Sequence, residues 1–221
     1  MTVRKDQIKK ITVLAMLTAL AYAVMFVIHI PVGTFLTYDP KAVVIAIGGM
    51  LYGPLPALLV SVVVGLLEMV TISSTGVIGA VMNIFYSASF CCTAALVYKK
   101  KRTMGGAYFG LFLGALISTA VMLLWNYILT PFYTGLTRTE VLGMFLPLLL
   151  PFNLIKGGIN AAATALLYKP IATALRKTNL LPKSEGARSE SGRGGKVVAV
   201  AAVVFVLASL LAALYLLQNA Q

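Results

Sequence analysis

Charged residues are scarce in this chain, and acidic residues are the scarcest of them. Only 11% of its 221 residues are charged, six are Asp or Glu, and 60% are hydrophobic. A soluble domain carries about a quarter charged residues. The composition therefore excludes an ordinary soluble domain. It predicts an all-α integral membrane protein whose apolar runs contact lipid.

The sequence also lacks the residue sets that form catalytic and metal-binding centres. His29 is the single histidine, without an H-E-x-x-H motif, and there is no G-x-x-x-x-G-K-[ST] phosphate loop. Cys91 and Cys92 are neighbours on a helical run and cannot face each other to form a disulfide. We expect no catalytic residue, no metal site and no cofactor. The chain cannot be a P-loop ATPase, so uptake of a bound molecule would need an energising partner.

Basic residues are common, and their positions predict an orientation in the membrane. The 18 lysines and arginines give a net charge of +12, but they lie at the ends of apolar runs. Such residues orient helices rather than bind nucleic acid. With the exception of Lys41, Arg138 and Lys156, they all fall on one side of the predicted topology. The positive-inside rule makes that side cytoplasmic, together with the N-terminus.

The apolar runs predict six helices followed by a seventh. The run 42–67 fits one long helix or two short ones, and only two keep the basic cluster 99–102 on the cytoplasmic side. The first of the two is short for a membrane and should be shielded by its neighbours. Outer loops are expected at 31–40 and 131–148. The predicted helices are Ile11–Ile30, 41–52, 54–71, Gly76–Tyr98, Gly105–Leu129, Pro151–Lys169 and Val197–Leu217.

The C-terminal region is predicted to be separate from the six-helix membrane domain of residues 1–177. Residues 178–196 are polar and rich in Gly and Ser, which is typical of a flexible cytoplasmic linker. The run Val197–Leu217 has no charge and is long enough to span the membrane. Basic residues before it predict an external C-terminus.

The sixth predicted helix carries the clearest candidate binding residues. Asn153, Lys156 and Asn160 recur at three- and four-residue spacing, so they share one helical face. A lysine inside a membrane helix costs at least ~2.5 kcal/mol unless it faces a partner or water. The pattern favours the wall of a polar pocket. The alternative is a lysine that reaches the interface along its flexible stem.

Other polar and small residues leave alternatives open. Glu68 either lines the outer mouth of the pocket or reaches the headgroups. Asn83 is more often a hydrogen-bond link between helices than a ligand. Asn126 is either a ligand or an interfacial residue. Two small-residue stripes allow close helix approach; they consist of Ala15, Ala19 and Ala23, and of Gly106, Gly110, Gly114 and Ser118.

Several motifs together resemble a known transporter family. They are AMLTALAYAVM, TYDPKAVVIAIGGMLYGPLPALLVSVV, SSTGVIGAVMN, WNYILTPFY and PFNLIKGGINAAATALLYKP. Over residues 10–180 the chain resembles the S components of energy-coupling factor (ECF) vitamin transporters, and among them the riboflavin-binding type. The resemblance implies six helices, capture of riboflavin at the external face, and docking on a transmembrane T component with two ATPase subunits. The linker and the seventh segment depart from this pattern.

The resemblance also implies roles for individual residues. The ligand-binding positions match Asn126, Asn153 and Lys156, and the docking stripe matches Ala15 and Ala19. Asp39 and Asn83 match recurring positions of less defined role. Asn amides both donate and accept hydrogen bonds, which suits a flavin ring. Aromatic contact is expected from one or more of four residues; they are Phe35, Tyr38, Trp125 and Tyr133.

Three other functions remain possible from the sequence. The nearest is an S component for folate, biotin, thiamine or pantothenate. A carboxylate-bearing vitamin would need a stronger cationic site than the few outer basic residues offer. A membrane-embedded enzyme is disfavoured by the missing catalytic sets. A structural or channel-forming subunit would place polar residues along a continuous path, whereas here they gather at one end.

Overall fold

The described part of the protein is a bundle of helices with one small β-hairpin. The computed structural model describes residues 2–33, 35–72, 76–178 and 180, with side chains from residue 7 onward. The seventh predicted helix and nearly all of the predicted linker lie outside the described residues. The helices are α1 Thr2–Val27, α2 Lys41–Tyr52, α3 Pro54–Thr71, α4 Gly76–Lys100, α5 Met104–Thr134, α6 Arg138–Gly143 and α7 Leu150–Lys177, with a π-helical turn at Phe145–Leu149 and strands β1 Ile30–Val32 and β2 Leu36–Tyr38.

Five of the described helices are long and apolar enough to cross a membrane, whereas α2 and the six-residue α6 are not. The five are α1, α3, α4, α5 and α7. At 1.5 Å per residue the 12 residues of α2 span about 18 Å, well short of a ~30 Å hydrocarbon core. Residues 41–50 of α2 are all buried by neighbouring helices. The prediction of a short, shielded helix is confirmed.

A glycine separates α2 from α3, as the charge argument predicted for the run 42–67. Gly53 has a φ of 101°, a conformation that side chains with a Cβ rarely adopt. Pro54 then occupies the first helical position, where its missing N–H leaves no bond unmade. The pair ends one helix and starts the next within two residues.

The glycine stripe of α5 forms a close contact with α4, as predicted. A Cβ on Gly114 would lie 2.8 Å from the carbonyl oxygen of Phe90, and one on Gly110 would lie 3.0 Å from that of Ala94. A Cβ at these distances would push the α4 backbone away, so glycine allows the closer approach. The contact packs α4 directly against α5, and both helices carry residues of the site.

The first spanning helix is confirmed, but its predicted ends are wrong, and so is the predicted loop after it. The helix α1 begins earlier, at Thr2, and ends at Val27 rather than Ile30. Ile30 is extended because Pro31 disfavours a helical conformation in the residue before it. The expected loop 31–40 forms an antiparallel hairpin in which Ile30 pairs with Tyr38.

The expected outer loop 131–148 is also wrong, because most of it is helical. The helix α5 continues through Pro131 to Thr134, and α6 follows. In α6, Thr137 and Glu140 form a capping box: the hydroxyl accepts from the Glu140 N–H, and the carboxylate accepts from the Thr137 N–H at 2.6 Å. The T-x-x-E signature was present in the sequence and was overlooked.

The helices α2 and α3 have their predicted bounds, whereas α4 and α7 extend beyond their predicted ends. The helix α4 runs to Lys100 and α7 to Lys177, past Tyr98 and Lys169. The predictions stopped where hydropathy fell, but backbone hydrogen bonding continues after a helix has left the apolar region.

A small second core anchors the hairpin over one end of the bundle. Leu36 of β2, Val141 of α6 and Leu149 at the end of the π-helical turn are buried together, apart from the main core. Phe35 and Phe152 pack against this cluster. The hairpin, α6 and the start of α7 therefore cover the end of the bundle where the polar residues meet.

Candidate functional site

A cavity lies beneath the hairpin, between α4, α5 and α7. It has a volume of about 70 Å³ and is partly open. Small-molecule pockets usually measure at least ~300 Å³, so a vitamin-sized ligand requires the covering side chains to move. The lining residues are Phe35, Leu36, Thr37, Gly79, Met82, Asn83, Tyr86, Met122, Asn126, Tyr133, Phe152, Asn153 and Lys156.

Two asparagine side chains of the cavity are held by their own helices. The amide nitrogen of Asn126 donates to the carbonyl oxygen of Met122 at 2.7 Å, and that of Asn153 donates to Leu149 at 2.8 Å. Both residues are buried. The Thr130 hydroxyl donates to the side-chain oxygen of Asn126 at 3.0 Å. These bonds fix the two amides in the cavity wall before any ligand arrives.

Lys156 reaches from α7 to the hairpin and is 4% exposed. Its ammonium group donates to the carbonyl oxygen of Thr37 at 2.9 Å and to Oδ2 of Asp39 at 3.3 Å. It also lies 4.7 Å from the centre of the Tyr86 ring, a cation–π distance. The alternative of a lysine reaching the membrane interface is therefore wrong.

Lys156 belongs to a buried ionic cluster of four residues: Asp39, Lys41, Glu68 and Lys156. Lys41 Nζ lies 3.1 Å from Oδ2 of Asp39 and 2.8 Å from Oε2 of Glu68. Neither sequence alternative for Glu68 is correct, since it is 3% exposed and paired. Two ammonium and two carboxylate groups balance within the cluster, which offsets the high cost of burying each charge.

Asp39 is the acid shared by both lysines, and its environment keeps it ionised. Burial would raise the pKa of this carboxyl, but the ammonium groups of Lys156 and Lys41 outweigh burial and lower the pKa to about 2. The carboxylate is therefore negative at any physiological pH. It ties the end of the hairpin to α2 and α7 at once.

A chain of neutral hydrogen bonds continues from the cluster into the bundle. The Tyr38 hydroxyl donates to Oδ1 of Asn160 at 3.4 Å, and Nδ2 of Asn160 donates to the Tyr86 hydroxyl at 2.8 Å. Burial and the nearby charge of Asp39 raise the pKa of Tyr38 to about 12, so it remains a neutral donor. Asn160, the third member of the polar stripe on α7, thus holds the hydroxyl of Tyr86, a residue of the cavity wall.

The structure brings four of the six sequence-predicted ligand residues to the cavity wall. They are Asn83, Asn126, Asn153 and Lys156. Asp39 contacts the cavity-lining Lys156, and Tyr38 is linked to the cavity-lining Tyr86 through Asn160. The two predicted docking residues, Ala15 and Ala19, do not line the cavity. Both are exposed on α1.

The aromatic residues divide into two groups. Phe35 and Tyr133 line the cavity with ring centres 6.2 Å apart in an edge-to-face arrangement. Trp125 instead stacks on Phe85 at 4.3 Å and is not part of the lining. Of the four aromatic residues expected to contact a ligand, Phe35 and Tyr133 line the cavity, whereas Tyr38 and Trp125 do not.

Sequence reasoning missed several residues of the site. Phe152 and Tyr86 line the cavity, and Lys41 and Glu68 complete the ionic cluster. Tyr86 lies three residues after Asn83 on the same face of α4, so helical spacing could have found it. No sequence signal pairs Lys41 with Glu68, because 27 positions separate them.

The fold and the site define a class: a multi-pass helical membrane protein with a polar, charge-balanced cavity at one end. Comparison with known families makes this specific. The chain belongs to the family described as "ECF transporter, substrate-specific component", whose family model matches residues 9–168. The predicted resemblance and the predicted fold class are thereby confirmed for the part of the chain that the structure describes.

Individual relatives agree with the family. The chain is 29% identical over 180 residues to the riboflavin transporter RibU of Staphylococcus aureus, covering 78% of this chain and 95% of that protein. It is 28% identical over 174 residues to the riboflavin transporter FmnP of Bacillus subtilis, covering 73% and 91%. A solved structure of the S component of a bacterial ECF transporter matches with a TM-score of 0.66 at 28% identity, over 77% of this chain and 99% of that one.

Proposed function

We propose that the protein is the riboflavin-binding S subunit of an ECF transporter. It captures riboflavin at the external face, for ATP-driven uptake by a separate T component with two ATPase subunits. The observation that supports this most is the meeting of Asn83, Asn126, Asn153 and Lys156 at one cavity. The choice of riboflavin as the vitamin is supported by the relatives, which are named riboflavin transporters.

The chemistry of the cavity wall suits a flavin. A flavin ring is planar and carries carbonyl and imide groups along one edge. Asparagine amides both donate and accept, so they can pair with either kind of group, and the ammonium of Lys156 can donate to a carbonyl. Phe35 and Tyr133 offer edge and face contacts to a planar ring.

The charge balance of the site favours an uncharged ligand. Both ammonium groups of the ionic cluster already have carboxylate partners within 3.3 Å. An anionic vitamin such as folate, biotin or pantothenate would have to compete with Asp39 for Lys156. Riboflavin has no such group, so it binds without breaking the cluster.

The remaining surface fits a subunit that docks and is energised by others. Ala15 and Ala19 lie on an exposed face of α1, where small side chains allow close approach of a partner helix. The distribution of basic residues favours a cytoplasmic N-terminus and an external hairpin end. The protein binds and presents the vitamin and is not itself an enzyme.

The experiment is a titration of purified protein with riboflavin, followed by quenching of flavin fluorescence. Saturable quenching is expected, with no displacement by excess folate, biotin, thiamine or pantothenate. No quenching, together with direct binding of one of these vitamins in calorimetry, would assign the site to that vitamin instead. Sidedness is checked in proteoliposomes, where a hairpin cysteine should react with an impermeant reagent from the face that binds riboflavin.

A further inference from the structure

Glu68 is a buried carboxylate in an otherwise apolar helix, and it does not line the cavity. The spanning window of α3 has a mean hydropathy of 2.0, and Glu68 is 3% exposed within it. An ionisable residue at such a position is costly unless it is paired. Its two oxygens accept from different residues. One partner lies in the cavity wall, and the other is connected to the cavity wall through Asp39.

The first oxygen orients Asn83. Nδ2 of Asn83 donates to Oε1 of Glu68 at 2.7 Å. A carboxylate only accepts hydrogen bonds, so the nitrogen end of the amide must point toward Glu68. The carbonyl end is then the one left for other partners. Glu68 therefore decides which way a cavity-lining amide is turned.

The second oxygen acts on Lys156 through two residues. Oε2 of Glu68 accepts from Lys41 Nζ at 2.8 Å, and Lys41 in turn lies 3.1 Å from Oδ2 of Asp39. Lys156 uses the same Oδ2 atom at 3.3 Å. Without Glu68, Lys41 would depend on Asp39 alone and would compete with Lys156 for that oxygen. The Glu68 carboxylate thus leaves Asp39 free to hold Lys156.

We infer that Glu68 is a positioning residue for the ligand site, which sets Asn83 and Lys156 from behind the cavity wall. The inference rests on the proposed function, because riboflavin binding is what the positioned groups serve. Glu68 has no contact with the cavity and acts only through its partners. Its removal should weaken binding without removing any cavity-lining group.

The first test compares Glu68→Gln with Glu140→Gln in the purified full-length protein. Gln keeps the shape of Glu but loses the charge, and its amide nitrogen cannot accept from Lys41. We expect the riboflavin Kd of Glu68→Gln to rise by about tenfold or more, since bonds to charged groups are the stronger ones. Glu140 is an exposed glutamate whose cap a Gln can retain, so Glu140→Gln should bind like wild type.

A second variant separates positioning from folding. Lys41→Met combined with Glu68→Met removes one cation and one anion, so Asp39 and Lys156 remain a balanced pair. Such apolar replacement of a buried pair is often neutral for stability. We expect a thermal midpoint near that of wild type but still weaker riboflavin binding. Wild-type affinity in this variant would mean that Glu68 only offsets a buried charge, and would overturn the inference.

A double-mutant cycle tests the route through Asn83. If Glu68 acts partly by orienting this amide, the loss of riboflavin-binding free energy in the double variant Glu68→Gln/Asn83→Ala should be smaller than the sum of the losses in the two single variants. Additive losses would overturn that route. In ligand-free protein, Glu68→Gln should also speed hydrogen exchange in the hairpin, whereas unchanged exchange would contradict the route through Asp39.

The outcomes for the two proposals are distinguishable. If wild-type protein binds riboflavin and Glu68→Gln binds equally well, the positioning role fails and the proposed function stands. If wild-type protein does not bind riboflavin, the proposed function fails and the positioning role for riboflavin falls with it.

Discussion

Two helical stripes of similar spacing have opposite placements in this bundle. Asn153, Lys156 and Asn160 on α7 are buried beneath the hairpin, whereas Ala15 and Ala19 on α1 are exposed. Amides and ammonium groups need hydrogen-bond partners in an apolar medium, so their stripe turns toward other polar groups. Alanine has no such need, and its stripe is free to face outward. Under the proposed function, the first stripe holds the ligand and the second receives a partner helix.

The largest effect on ligand binding is expected from the α7 stripe, at Lys156. Replacing it with Met removes the ammonium that bonds Thr37 and Asp39. Riboflavin affinity should fall by roughly 3 kcal/mol, above 100-fold in Kd, since a charged hydrogen-bonding group is lost. Lys169→Met, at an exposed lysine of the same helix, is the control and should leave titration curves unchanged. Near-wild-type binding by Lys156→Met would remove this residue from the site.

A smaller effect is expected at Asn153, where a neutral group is lost. Asn153→Leu removes an amide of the cavity wall and leaves polar groups of the ligand unpaired. A loss of about 1–3 kcal/mol in riboflavin binding follows, measured by the same fluorescence titration. The thermal midpoint of the ligand-free protein serves as the control for folding. Unaltered affinity would show that the amide does not contact the vitamin.

The α1 stripe should respond in the opposite way, with no effect on binding. Ala19→Trp places a bulky ring on the exposed face of α1, where close helix approach tolerates only small residues. The variant should bind riboflavin normally but fail to co-purify with co-expressed T component and ATPase subunits. Leu116→Trp, on an exposed position of α5, is the control and should assemble. Assembly and uptake by Ala19→Trp would exclude this face as the interface.

The sequence predicted the polar and alanine stripes but not the residues that pair across helices, and the reason is physical. Hydropathy and periodicity are local properties, so they located α1 to α5 and α7 and grouped Asn153 with Lys156, but they missed α6. The pairing of Lys41 with Glu68 depends on how α2 and α3 pack, which no local pattern contains. The hairpin was missed because its strands are three residues each, too short for alternation to be recognised.

Removing residues 184–221 is likewise expected to leave riboflavin binding unchanged. Every lining residue of the cavity lies between Phe35 and Lys156, and the ionic cluster lies within the same range. The sequence predicts a flexible linker and a separate apolar helix for the removed part. The truncated protein should therefore bind riboflavin with the affinity of the full chain, in the same titration. A truncation that keeps its thermal midpoint but loses the vitamin would place the C-terminal segment in the site, and the ligand would then be held by more than the bundle described here.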